Sequence, residues 1–164
     1  MVDDPKQGGE EMHHKAEKPG SLLAIREEEI LEFWEKEGIF QKSLGRPAPK
    51  GEYIFYDGPP FANGLPHYGH ILASTIKDAI PRYRTMQGWR VVRQWGWDCH
   101  GLPVENLVEK ELGFKTKRDI EAYGIGKFNE AARTSIMKDV ASWKRIIPRL
   151  GRWADMERDY RTMD

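Results

Sequence analysis

Hydrophobic and polar residues change pattern at about residue 21. Residues 1–20 carry charges, glycines and prolines and almost nothing apolar, so they cannot offset the entropy of ordering, and we predict a disordered tail. After Ser21 the helical spacing of Ile30, Phe33 and Trp34 predicts an amphipathic helix. Gly38 stands where that helix is expected to end.

The middle of the chain switches between strand-like and helix-like patterns. Aromatic and β-branched residues predict a short strand over 53–56 and a second one around 89–93. Residues 67–84 have helical spacing, and Pro81 is expected to end or kink that helix. The candidate buried positions on it are Ile71, Ile76 and Ile80. The order strand, helix, strand predicts a βαβ unit with a parallel sheet, which indicates an α/β fold.

The last third of the chain is predicted to be helical. Helices are expected near 104–112, over 116–123 and over 127–147. The third of these carries an apolar stripe, which consists of Phe128, Ala132, Ile136, Val140, Trp143 and Ile147. Because Trp143 lies on that stripe, we assign it to the core and not to a cofactor site.

Composition narrows the class of protein. The 26 basic and 26 acidic residues give a formal net charge of +0, which excludes a surface devoted wholly to nucleic acid but leaves room for a local basic patch. The single cysteine, Cys99, excludes an internal disulfide. No segment has the pattern of a secretory signal or a bilayer span, so we expect a cytoplasmic protein.

The stretch DGPPFANGLPHYGH, residues 57–70, lies where the first predicted strand ends and the predicted helix begins. In doubly wound sheets, ligands bind outside the carboxyl ends of the strands. His67 and His70 are three residues apart in the first helical turn, next to free backbone N–H groups and the positive end of the helix dipole. This pattern predicts a phosphate site with two imidazole donors. Gly69 has no side chain, so a flat base could lie against the helix start.

Two other interpretations of the histidines remain open. They could simply cap the helix while the glycines turn the chain. His67 and His70 could also bind zinc together with Cys99 or His100, although the CxxC-type spacing that makes zinc sites recognisable is absent. Cys99 is disfavoured as a nucleophile activated by His100, because adjacent residues on an extended chain point in opposite directions.

Asp98 lies in the stretch GWDCHGLPVE, just after the second predicted strand. A partly buried carboxylate at this place needs a cationic partner, and a substrate ammonium group would serve. Alternatively, Asp98 caps the following turn.

Taken together, these stretches resemble the class I aminoacyl-tRNA synthetases. HYGH, with Tyr68 in the second place, is similar to the HIGH signature of that family. The preceding DGPPFANGLP and the following GWDCHGLPVE are most similar to the isoleucyl branch, because the leucyl and valyl branches differ around the position of Asp98. The resemblance covers about Ser21 to Asp164. It implies that residues 21–164 are the amino-terminal, incomplete portion of a Rossmann-like catalytic domain, a parallel sheet with helices.

The resemblance also implies an activity and a set of site residues. The activity is activation of L-isoleucine by ATP to isoleucyl-adenylate, followed by transfer to tRNA(Ile), without a covalent enzyme intermediate. Mg²⁺ would enter with ATP as part of the substrate complex, no metal bound by the protein is expected, and the full enzyme is expected to be a monomer. The catalytic residues would be His67 and His70. The ATP-binding residues would be Asn63, His67, Gly69 and His70, and the amino-acid-binding residues Gly58, Pro59 and Asp98.

Members of this family continue into an editing domain, a second lobe with a KMSKS loop and an anticodon-binding domain. None of these is recognisable in the 164 residues, so we expect the chain by itself to be inactive. Two alternatives remain: a stand-alone ATP-binding module derived from a synthetase, and a synthetase for another branched aliphatic amino acid.

Overall fold

The structure is a computed structural model that describes residues 20–164. The predicted disordered tail therefore lies, except for Gly20, outside the described residues. The described part contains seven helices and two strands. In chain order they are α1 (Leu22–Lys36), α2 (Ile39–Gly45), α3 (Tyr68–Met86), β1 (Gln94–Trp97), α4 (Leu102–Leu112), α5 (Lys117–Tyr123), α6 (Ile125–Ser135), α7 (Val140–Arg149) and β2 (Asp155–Arg161).

The predicted amphipathic helix is confirmed as α1, and much of its apolar face is exposed. Ile30 and Phe33 remain 42% and 55% exposed. Trp34, the third residue of the predicted pattern, packs edge-to-face against Trp153, with ring centroids 5.2 Å apart. Gly38, with φ of +57°, separates α1 from α2, a short helix that the sequence pattern did not predict.

The sheet is parallel, as predicted, but it is formed by other residues than the two predicted strands. β1 pairs in parallel with β2, and an irregularity in register falls between Gln94 and Gly96. Residues 53–56 do not form the predicted strand. The segment 52–61 makes only two isolated parallel bridges, one from Glu52 to Arg90, before β1, and one from Phe61 to Asp98, directly after β1. The segment is one residue longer than its partner between these two pairs, and its prolines lack N–H groups, so no continuous ladder can form. The second predicted strand, around 89–93, is displaced to β1.

Helix α3 is confirmed close to its predicted bounds, but its buried face is not the predicted one. It continues through Pro81 to Met86, so Pro81 does not end the helix, and of the two expected effects only a kink remains. Ser74 and Pro81 are its buried residues, whereas Ile76 and Ile80 are 53% and 38% exposed. Ser74 Oγ accepts a hydrogen bond from Arg152, so α3 contacts the rest of the chain through a polar side chain as well as through Pro81.

The helix predicted over 127–147 is two helices, α6 and α7. In the break between them, the N–H of Asp139 donates to the carbonyl of Ala62 at 3.0 Å. A hydrogen bond to a distant loop thus replaces the helical one. The predicted apolar stripe is nevertheless confirmed, because its members Phe128, Ile136, Trp143 and Ile147 are buried.

The core lies where the sheet meets α7. Trp95 and Trp97 of β1 pack against each other with ring centroids 5.4 Å apart, and each lies 6.0 Å from Trp143. The assignment of Trp143 to the core is confirmed. β2 was not predicted, because its sequence DMERDYR is strongly charged. Between residues 20 and 164 no helix is both long and apolar enough to cross a bilayer.

Candidate functional site

The loop before α3, residues 57–64, is fixed by hydrogen bonds from several distant elements. Three of its carbonyl groups accept from residues more than 35 positions further along the chain. The pairs are Asp98 N to Pro60 O (2.9 Å), Asp139 N to Ala62 O (3.0 Å) and Trp143 Nε1 to Gly64 O (2.7 Å). The Asn63 side-chain amide donates to the Pro103 carbonyl at 3.3 Å. The loop is therefore held in one conformation by the body of the domain.

His67 and His70 form a reciprocal cap at the start of α3. Gly69 N–H donates to His67 Nδ1 at 3.1 Å, and His67 N–H donates to His70 Nδ1 at 3.2 Å. The two imidazole rings lie 3.8 Å apart at an angle of 30°. A ring nitrogen that accepts a hydrogen bond carries no proton, so each neutral ring holds its proton on Nε2. Capping thus leaves one N–H donor on each histidine.

The environment of His70 favours its neutral form. Its ring packs edge-to-face on Trp143, with centroids 5.0 Å apart. Burial lowers the pKa of His70 from its usual 6.5, and the positive charges of His67 and Lys77 lower it further. The ring is therefore uncharged near neutral pH, with Nδ1 as an acceptor and Nε2 as a donor.

The capping interpretation is thus realised, and it is compatible with a site. Capping uses Nδ1 of both rings and does not use Nε2. The His70 N–H also donates to the His67 side chain, whereas the Tyr68 N–H donates to no other group among the described residues. The helix start consequently offers backbone and imidazole donors together, which is the donor set that a phosphate group requires.

Gly69 is constrained by its neighbour. A Cβ atom at this position would lie 3.0 Å from His67 Cε1 and 3.1 Å from Nδ1. Side-chain contacts this close are rare, so any residue other than glycine would displace the His67 ring. The expectation that a base lies here is not tested by this contact, which gives a separate reason for glycine.

Asp98 lies beside the same loop, directly after β1. Its backbone N–H is bonded to Pro60, and its Oδ1 accepts from His100 N–H at 3.3 Å. The predicted turn-capping contact is therefore present, but it is a single long hydrogen bond. Among residues 20–164, no lysine, arginine or histidine forms an ion pair with Asp98. The carboxylate is half-buried.

The zinc interpretation gains nothing from the structure. In the described part of the chain, no group of three or more His, Cys, Asp or Glu side chains converges in a way that could hold a metal ion. Cys99 is buried in the core, and its burial raises the pKa of the thiol. His100 instead contacts the carbonyl of Thr162 at 3.0 Å.

The remaining predicted residues, Gly58 and Pro59, lie at the start of the loop, and the carbonyl of Gly58 accepts a hydrogen bond from Lys77 Nζ at 3.0 Å.

Sequence reasoning did not find the residues that hold the site in place. Trp143 was assigned only to the core, and Arg152, which contacts Asp57, lies 95 residues away from it in the chain. No local pattern could have indicated that pair, because neither residue is part of a spaced motif.

The fold and the histidine-capped helix place the chain in a known family. The family model for "tRNA synthetases class I (I, L, M and V)" matches residues 29–164. The chain therefore belongs to the class I tRNA synthetases, as its motifs predicted.

Highly similar relatives within this family are isoleucine–tRNA ligases. The protein of that name from Treponema denticola is 58% identical over 151 residues, which are 92% of this chain and 14% of the relative. The one from Ehrlichia ruminantium is 57% identical over 145 residues, 88% of this chain and 13% of the relative. The chain thus spans only a small part of the length of these relatives.

A solved structure supports the fold. It is the ternary complex of Agrobacterium radiobacter K84 agnB2 LeuRS with tRNA and LeuAMS, which matches with a TM-score of 0.53 and 22% identity. The match covers 85% of this chain and 15% of that chain.

Proposed function

We propose that this chain is the amino-terminal part of the catalytic domain of an isoleucine–tRNA ligase. That enzyme would activate L-isoleucine with ATP and Mg²⁺ and then transfer it to tRNA(Ile). The observation that carries the proposal is the arrangement of His67 and His70, which leaves both Nε2 donors beside the N-terminus of α3. The isoleucine–tRNA ligase relatives, at up to 58% identity, support the choice of amino acid.

In this proposal His67 and His70 are catalytic residues that contact the phosphates of ATP. Each Nε2–H donates to a non-bridging oxygen, and the donation strengthens as negative charge grows at the α-phosphate during attack by the isoleucine carboxylate. The lowered pKa of His70 keeps that ring neutral, so it donates a hydrogen bond without adding a fixed charge. The enzyme then acts by positioning and charge stabilisation and forms no covalent intermediate.

The remaining predicted residues divide between the two substrates. Asp98 would bind the ammonium group of isoleucine, and the backbone at Gly58 and Pro59 would line the amino-acid site. Asn63 and Gly69 would contact ATP. The support for these roles is that Asp98 and the loop are hydrogen-bonded to each other, and that Asn63 uses only its amide nitrogen in bonding Pro103.

The experiment that tests the proposal is ATP–pyrophosphate exchange by the product of the complete reading frame that contains these residues. We expect a higher kcat/KM with isoleucine than with valine, leucine or methionine. The chain of 164 residues alone should give no exchange. Binding of ATP by the complete product without any exchange would favour a stand-alone nucleotide-binding module, and faster exchange with another amino acid would reassign the substrate.

Asparagine variants test the role of the two histidines. In His67→Asn and His70→Asn the amide oxygen replaces Nδ1 as the cap acceptor, while the Nε2 donor is lost. We expect kcat to fall by about 10²–10³ for each, the effect of removing one donor to a developing oxyanion. His100→Asn is the matched control, because that ring contacts only the Thr162 carbonyl. Equal rates for the control and the two variants would contradict the assignment.

A further inference from the structure

A cluster of polar and charged side chains, largely shielded from solvent, lies directly beside the loop at residues 57–64. It consists of Asp57, Ser74, Lys77 and Arg152, and we call it the Asp57 cluster. Arg152 Nη2 forms an ion pair with Asp57 Oδ2, and Lys77 Nζ forms one with Asp57 Oδ1. Arg152 Nη1 also donates to Ser74 Oγ at 3.2 Å. One carboxylate is thus held between two cations.

The Asp57 cluster is shielded from solvent. The side chain of Arg152 is 8% exposed, that of Asp57 19% and that of Lys77 28%. The Arg152 guanidinium lies over the ring of Trp95, 4.8 Å from its centroid. Taking charges out of water is costly, and a buried ion pair is often no more stabilising than apolar residues of the same volume. Stability alone is therefore a weak reason for this arrangement, and the segments it connects suggest another.

The Asp57 cluster joins three parts of the chain that meet at the candidate site. Asp57 starts the loop, Ser74 and Lys77 lie on α3, and Arg152 lies between α7 and β2. The ammonium group of Lys77 contacts two acceptors at once. It forms an ion pair with Asp57 and donates a hydrogen bond to the Gly58 carbonyl at 3.0 Å. Asp57 Oδ1 accepts no well-formed hydrogen bond, so Lys77 meets the carboxylate as an ion pair and directs its hydrogen bond to Gly58.

This arrangement depends on Arg152. Without the guanidinium, the buried Asp57 carboxylate would keep a single cation, and Lys77 would turn fully towards it. The hydrogen bond to the Gly58 carbonyl would then be lost, and the peptide between Gly58 and Pro59 would be free to move. The loop would remain attached further along, through its bonds from Asp98 and Trp143.

We propose that Arg152 is a positioning residue for amino-acid binding: it neutralises Asp57 and thereby leaves Lys77 free to hold the Gly58 backbone in the binding conformation. This inference rests on the proposed function, in which Gly58 and Pro59 line the isoleucine site. Arg152 itself touches no substrate. Its loss should therefore affect isoleucine more than ATP.

The test is pyrophosphate exchange by the complete enzyme in wild-type form and as Arg152→Met, Arg152→Lys and Arg149→Met. The methionine variant keeps an unbranched apolar stem like that of arginine and removes the charged guanidinium. We expect it to raise the KM for isoleucine by at least about tenfold, because small displacements of positioning groups have effects of this size or larger. The KM for ATP should change by less than about threefold. Arg152→Lys should restore most of the loss.

Arg149→Met is the matched control. Arg149 ends α7 and pairs with Glu27 at 3.0 Å on the surface, so its loss should leave both KM values unchanged. If Arg152→Met fails to fold, Arg152→Gln replaces it with the same expectation, because it also removes the charge and leaves Asp57 with Lys77 as its single cation.

Three results would overturn the inference. One is a lower melting temperature of Arg152→Met with unchanged KM values for isoleucine and ATP, which would make the Asp57 cluster purely structural. Another is an equal rise in both KM values. The third is the absence of isoleucine-dependent exchange in the wild-type enzyme, which would overturn the proposed function as well. The first two leave the proposed function intact, so the failures can be told apart.

Discussion

Replacing Asp98 by asparagine should remove most of the binding energy for the isoleucine ammonium group without disturbing the fold. The carboxylate follows β1 directly, and its Oδ1 accepts one hydrogen bond, from His100 N–H at 3.3 Å. An asparagine oxygen can accept the same bond, and the side chain has nearly the same volume. The substitution therefore changes the charge and little else.

The size of the expected loss in isoleucine binding follows from the absence of an ion-pair partner for Asp98 among the described residues. Asp98 has no ion pair among residues 20–164, so removing its charge leaves no buried cation unpaired. The loss is then that of one charge-assisted hydrogen bond, about 1.5–3 kcal/mol. This range corresponds to a decrease of about 10- to 150-fold in kcat/KM for isoleucine. The KM for ATP should stay within about twofold of the wild-type value.

Pyrophosphate exchange with varied isoleucine and varied ATP measures both quantities. Asp164→Asn is the matched control, since that carboxylate also accepts one backbone N–H, from Arg161 at 3.2 Å, and lies on the surface. Thermal unfolding of Asp98→Asn should match the wild type within the effect of one weak hydrogen bond. An unchanged kcat/KM for isoleucine, or a loss that falls equally on ATP, would refute the assignment of Asp98 to the ammonium group.

Three further predictions concern the start of α3 and the residues that hold it. Because burial lowers the folded-state pKa of His70 below 6.5, the stability that the neutral ring contributes is present above about pH 6.5 and is lost as pH falls from there towards the lowered value. His70→Asn should therefore lose less stability than the wild type between pH 7.5 and pH 5 in urea unfolding, and a steeper loss would contradict the sign of the shift. Gly69→Ala should leave the melting temperature nearly unchanged, since a helix-propensity gain of about 1 kcal/mol offsets a capping loss of similar size. The same change should lower the exchange rate by displacing the His67 ring, and an unchanged rate would contradict it. Trp143→Phe should destabilise the fold by about 1–3 kcal/mol in denaturant unfolding, because the Gly64 carbonyl loses its 2.7 Å donor; a loss below about 0.5 kcal/mol would count against that bond.

The sequence predicted those elements whose pattern is local. Helix α3 begins at its predicted position because His67 and His70 cap it from within the motif itself. Helix α5 begins as predicted, with Thr116 and Asp119 in a capping box. In both helices the signal and the contact lie within four residues of each other, so reading along the chain is sufficient.

The errors arise where distant contacts override the local pattern. The helix predicted over 127–147 is broken because Asp139 donates to the loop carbonyl of Ala62. Periodicity also identified an apolar face on α3 without indicating what covers it. The structure buries Ser74 instead, with a hydrogen bond from Arg152, and leaves Ile76 exposed. No pattern within a window of eighteen residues contains these partners.

Two aspartates border the loop before α3, and their surroundings separate their roles. Asp57 is flanked by two cations and is mostly buried, so it has no capacity left for a ligand. Asp98 is half-buried, has no cation among the described residues and receives one long hydrogen bond. A carboxylate already neutralised can only hold structure, whereas one left without a counter-charge gains most from an incoming ammonium group.

The same contrast predicts opposite kinetics for the two asparagine variants. Asp57→Asn should leave Lys77 bonded to the Gly58 carbonyl and change the KM for isoleucine little, and it should suppress the effect of Arg152→Met. Asp98→Asn should lose the same factor whether position 152 is Arg or Met, so a double-mutant cycle between the two positions should show no coupling. Coupling above about 0.5 kcal/mol would mean that the two ends of the loop do not act independently.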